Sequence, residues 1–96
     1  MILCAAMKVS DERFKPDGFV IVPCWRHGLG YSLIHTLTGG EVKRSQISEG
    51  FIDNKNQFLN RADAFQHALD CGQLSASTRQ LKSERNENEL YSEDLY

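Results

Sequence analysis

Two short turn signals each separate a pair of strand-like runs, and each commits its flanks to pair as a hairpin. The first is Pro16-Asp17-Gly18. Proline presets φ for the turn and glycine supplies φ > 0 without steric cost. It closes the link Ser10 to Gly18, between the apolar runs Ile2–Val9 and Phe19–Trp25. In the second run Phe19, Ile21 and Pro23 fall on one face and Val20 and Val22 on the other, the period of a strand. Pro23 cannot donate to a ladder, so this strand ends there or lies at a sheet edge. The second signal is Asp53-Asn54-Lys55-Asn56, between Gly50–Asp53 and Gln57–Leu59. Residues of this kind tolerate the left-handed region and favour a tight turn.

Between and after the hairpins the period changes to that of helices. Over Gly28 to Thr38, Leu29, Leu33 and Leu37 recur every fourth residue beside Ile34, as an amphipathic helix packed on a sheet requires. Gly39-Gly40 stops it. Glu41 to Glu49 is polar and reads as a loop or a weak short element. Asn60 is a good N-cap, with Asp63 three residues on beside the helix dipole. Ala62, Phe65, Ala68, Leu69 and Cys71 fit a core-facing stripe, and Gly72 the residue after the helix. Gln73 to Glu89 has only Leu74 and Leu81 as apolar side chains beyond alanine, and reads as a mobile or loosely helical segment. Leu90 to Tyr96, with two leucines and two tyrosines, reads as a tail that docks back on the body. The expectation is one α+β domain: a small antiparallel sheet from two β-hairpins with two helices packed on one face over residues 1–72, a polar flexible segment over 73–89 and a docking tail over 90–96.

Size and charge remove several function classes. Ninety-six residues make one domain, with little to spare for a deep cavity, so a ligand site is a surface cleft or a pocket shared between subunits of a homo-oligomer. Residues 1–72 carry eight basic and eight acidic side chains, and residues 73–96 three and five, which gives the net charge of −2. No basic face is implied, so nucleic-acid binding lacks its electrostatic footprint. No run reaches the ~18–20 apolar residues of a membrane span, and Met1 to Met7 is too short for a signal peptide. The expected location is the cytoplasm. Cys4, Cys24 and Cys71 lack CxxC spacing and read as buried free thiols rather than a disulfide framework.

The residues that could carry chemistry lie near the starts of the two helices. Trp25-Arg26-His27-Gly28 stands where a strand runs into a helix, a natural anion site built from backbone N–H groups and the helix dipole. Arg26 could grip a phosphate, Trp25 could stack a base, and Gly28 permits close approach. The bland reading is a core tryptophan, a solvated arginine and a glycine turn. His27, Tyr31 and His35 fall at i, i+4 and i+8 on one stripe, but the two histidines lie about 12 Å apart along a helix and cannot share a proton. Arg61 reads either as the partner of an acid, Asp53 or the tail, or as a second phosphate ligand at a helix N-terminus. Glu93 and Asp94 are adjacent acids that could pair with Arg26 or Arg61 and close the tail over the same surface. No ligand pair has metal-site spacing, nothing in the pattern asks for a cofactor, and the common enzyme motifs are missing.

Arg26-His27-Gly28, then Gly50-Phe51, Phe58-Leu59-Asn60-Arg61, Ala64, Ala68, Gly72-Gln73 and the ending Leu90 to Tyr96, read LYSEDLY, together resemble a family of small bacteriophage and prophage proteins. The resemblance covers most of the chain. It implies a host bacterial cytoplasm and a role of the kind small phage proteins play against host defences, and it assigns no catalytic or binding residue. The leading expectation is a non-catalytic domain that binds or sequesters a phosphate-bearing small molecule such as a nucleotide signal, using Trp25, Arg26, His27, Gly28, Tyr31, Arg61, Glu93 and Asp94. Its rivals are a protein–protein inhibitor of a host enzyme that uses the acidic tail, and a small hydrolase or transferase that uses His27.

Overall fold

Both turn signals close hairpins, and the first strands of the two hairpins pair with each other. A computed structural model describes residues 1–95; Tyr96, the end of the expected tail, lies outside them. The elements are β1 (Ile2–Ser10), β2 (Phe19–Cys24), α1 (His27–Thr38), β3 (Ile47–Asp53), β4 (Phe58–Asn60), α2 (Arg61–Asp70) and α3 (Ala76–Glu84). The sheet order is β2-β1-β3-β4, antiparallel throughout. At the first turn Gly18 has φ +81°, and the Asp11 N–H donates to its carbonyl. At the second, Asp53 Oδ1 accepts the Lys55 and Gln57 N–H groups, which hold its carboxyl below the ordinary value, the Gln57 bond most of all.

Strand register sorts the side chains. Val9 stands opposite both Val20 and Ile47, and Ala5 opposite Cys24 and Phe51, so these residues share one face with Met7 and Val22. α1 and α2 bury against that face. Ala64 and Ala68 of α2 pack with Ala5 and Phe51, and Ile34 of α1 packs with Met7 and Val9. The fold is α+β, as the period-2 and period-3.6 runs predict.

Four local expectations are corrected. First, the leucine row of α1 faces outward: Leu29, Leu33 and Leu37 are exposed, and the buried residues are His27, Gly30 and Ile34. Gly30 sets this rotation. A Cβ there would stand 2.8 Å from the Met7 side chain and 2.9 Å from Cys24 Sγ, so only glycine lets the helix axis come this close to the sheet. Second, α2 buries Ala64 and Ala68, while Ala62 and Cys71 are exposed; the smaller side chains take the tight contact. Third, β3 begins at Ile47 rather than Gly50, because its first residues pair with the far end of β1. Fourth, part of the polar segment is a third helix. Ser75 caps α3 by accepting the Thr78 N–H, Leu74 is buried just before it, and the buried side chain within it is Lys82. A hydropathy pattern has no means of marking a lysine as the inward residue.

The cap of α2 gives a direct test. Asn60 Oδ1 accepts the Asp63 N–H at 2.8 Å. Asn60→Ala should cost about 0.5–2 kcal/mol, since a first-turn donor loses its acceptor. An unchanged urea midpoint would show that this cap contributes nothing.

Candidate functional site

The residues singled out near the helix starts are drawn together by the fold, and most of them bind one another. His27 is buried and edge-on to Phe51. Its Nε2–H donates to the Gly50 carbonyl at 2.8 Å, and its Nδ1 accepts from Arg61 Nη2 at 3.3 Å. Both ring nitrogens are therefore engaged, which fixes the tautomer. Arg61 also donates to the Leu90 carbonyl at 3.0 Å, pairs with Glu49 at 3.3 Å and lies over the Tyr91 ring at 4.9 Å. The acid that answers Arg61 is Glu49, neither Asp53 nor a tail carboxylate.

The tail does meet the Arg26–His27 junction. Arg26 donates to the Ser92 hydroxyl at 3.3 Å and stands 3.9 Å from Glu93. Asp94 goes elsewhere: it pairs with buried Lys82 at 2.8 Å and accepts the Tyr91 N–H. Lys82 completes its shell with the Glu89 carbonyl at 2.8 Å and Glu87 at 3.6 Å. Gln73 clamps the backbone of Ile2, accepting its N–H and donating to its carbonyl, so a side chain continues the sheet where β1 runs out of partners. Arg26, His27, Gly50, Asn60, Arg61, Gln73 and Leu90 to Asp94, which are among the residues that carry the phage-family resemblance, thus form caps and clamps of the fold. Trp25 and Gly28 stay exposed at the start of α1.

A cleft opens on the flank of α1 away from its leucine row. It holds about 440 Å³ and is lined by Tyr31, Ser32, Ile34, His35, Thr36, Val42, Arg44 and Ile47. That volume lies within the range of small-molecule sites. Ile34, Val42 and Ile47 make an apolar floor, because these same side chains cap the Met7–Val9 core. Ser32, His35 and Thr36 rise from one side, and Arg44 from a 3-10 turn over Arg44–Gln46 on the other. The Arg44 guanidinium lies over the Tyr31 ring at 4.2 Å, and no carboxylate pairs with it among the described residues. Burial pushes the Tyr31 phenol up, and Glu49 adds to that while Arg44 and Arg61 oppose it.

Of the residues singled out in the sequence, Tyr31 and His35 line this cleft. Arg44 went unnoticed because it sits in a polar stretch with no helical or strand period to place it. Elsewhere the cysteines are free thiols, and burial pushes Cys24 up to about 11, with Cys4 and Glu49 contributing. Among the described residues no three metal-ligating side chains converge, and no helix is long and apolar enough to cross a membrane.

A family model described as Phage T4 y16D protein matches residues 1–96. No curated protein and no solved structure matches the chain.

Proposed function

Since the chain belongs to the Phage T4 y16D protein family, we propose that it is a non-catalytic phage protein that binds a phosphate-bearing small molecule, such as a nucleotide signal of the infected cell. The observation that carries this reading is Arg44, a guanidinium stacked on Tyr31 at the mouth of a cleft with no carboxylate to answer it among the described residues. Stacking on an aromatic ring pre-orients the planar fork that grips phosphate oxygens. His35 and the Ser32 and Thr36 hydroxyls add donors on the same rim, and the apolar floor suits a flat ring. Arg26, His27, Arg61, Glu93 and Asp94 would act behind the site, by holding α1, β3 and the tail in register. The engagement of both His27 nitrogens supports binding over hydrolysis or transfer. An inhibitor working through its acidic tail has less support, because Asp94 is committed to Lys82.

Melting curves with inorganic phosphate and a panel of linear and cyclic nucleotides test the reading. A ligand at a hundred times its Kd adds about 2.7 kcal/mol of stability and raises Tm accordingly. Arg44 is exposed, so Arg44→Ala should leave the ligand-free Tm unchanged. It should weaken binding about ten- to a hundredfold, the worth of hydrogen bonds to a charged group. If phosphate and every nucleotide leave Tm unmoved, or Arg44→Ala binds as well as the parent, the reading is wrong.

A further inference from the structure

We infer that two copies of this chain associate about a two-fold axis along the outer edge of β2, pairing β2 with β2 and packing α1 on α1. β2 ends the sheet and pairs only with β1 among the described residues. Natural sheets guard such edges with charges, prolines, bulges or a covering segment, because unpaired N–H and C=O groups recruit another strand. From Phe19 to Cys24 there is no charged residue and one guard, Pro23, near the end. Phe19 to Val22 is left able to pair.

The helix above that edge is also unguarded. α1 runs antiparallel to β2: Gly30 sits against Cys24 at one end, and at the other Leu37 lines an apolar groove of about 180 Å³ with Val9, Phe14, Val20, Val22, Ile34 and Thr38. Leu29, Leu33 and Leu37 are 61%, 43% and 69% exposed and form one row along the helix. The groove at Leu37 puts that row on the β2 side. Exposed apolar rows of this extent mark contact surfaces.

A second copy is the occupant because both surfaces complement themselves. His27 to Thr38 contains no Asp, Glu, Lys or Arg, so two α1 helices can meet without burying an unpaired charge. A strand facing its own copy across a two-fold axis pairs antiparallel, the ladder this sheet already uses. The lengths also match: six strand residues span about 20 Å and twelve helical residues about 18 Å, so both contacts engage in one approach. The leucines of each copy then reach the other's groove beside Val20 and Val22.

Sedimentation of the full chain over a concentration series, together with amide hydrogen exchange, tests this. The mass should rise to twice 10.9 kDa, and the outward-facing amides among Phe19 to Val22 should gain protection as it does. Leu33→Glu/Leu37→Glu alters exposed side chains only, and should give a folded single chain with those amides open. A single-chain mass at every concentration overturns the inference. So does a dimer that survives the double substitution, or one that leaves the β2 amides unprotected.

Discussion

Leu90→Ala is expected to cost about 2–5 kcal/mol, the range for emptying a core site of its large side chain. Leu90 comes after a long polar run, yet it is fully buried with Ile2, Ala5, Phe51, Ala64, Ala68 and Leu74. Its backbone is held as well: the Leu90 N–H donates to the Arg61 carbonyl, and its own carbonyl accepts from the Arg61 guanidinium. A tail that merely leaned on the body would balance about 1.5–3 kcal/mol per buried side chain against about 1–2 kcal/mol of backbone entropy per residue. Here one leucine closes the principal core, so removal of residues 90–96 should take away a large part of the ~5–15 kcal/mol that a small domain has in total. Urea denaturation followed by circular dichroism measures both. A Leu90→Ala midpoint close to that of the parent would show that the tail is a passive extension.

Asp94→Ala should be nearly as damaging, for an electrostatic reason. Lys82 is 4% exposed, and Asp94 at 2.8 Å is its short-range counter-charge. Removing one partner of a buried pair leaves the other charge without compensation and costs about 3–5 kcal/mol. Glu87, 3.6 Å from the same ammonium, can move closer and holds the expected loss near the lower end. The Lys82 ammonium lies over the rings of Phe65 and Tyr91, at 5.6 and 4.7 Å, so the end of a methionine of similar length would meet aromatic surface in its place. Lys82→Met combined with Asp94→Ala should therefore be more stable than Asp94→Ala alone. A double-mutant cycle of urea midpoints reads the coupling. A loss below about 1 kcal/mol for Asp94→Ala would put the pair with ordinary surface salt bridges and remove it from the tail's anchorage.

Sequence alone determined the elements whose cause is local. Pro16-Asp17-Gly18 and the Asp53 turn set the hairpins through backbone geometry. Asn60 set the start of α2 through its own side chain, and Gly39, at φ +64°, set the end of α1. The faces of β2 followed from a period of two. The meeting of the tail with Arg26 was also legible, because LYSEDLY combines apolar and acidic groups after a stretch that can bury little.

Tertiary structure decided what depends on residues distant in the chain. A row of leucines every fourth residue marks one side of α1, but which side faces the sheet was settled by Gly30, where a side chain would collide with Met7 and Cys24. α3 is a helix whose buried position is a lysine, and only the carboxylate of Asp94, brought by the tail, makes that burial tolerable. Arg61 had Asp53 and the tail acids in view along the sequence and took Glu49, which the β3–β4 pairing, with Gly50 opposite Asn60, delivers to it. The candidate cleft exists because a 3-10 turn sets Arg44 over a tyrosine on α1. Propensity, turn chemistry and period act over a few residues and can be read in order, whereas close packing and charge compensation are settled only between surfaces that the folded chain brings together.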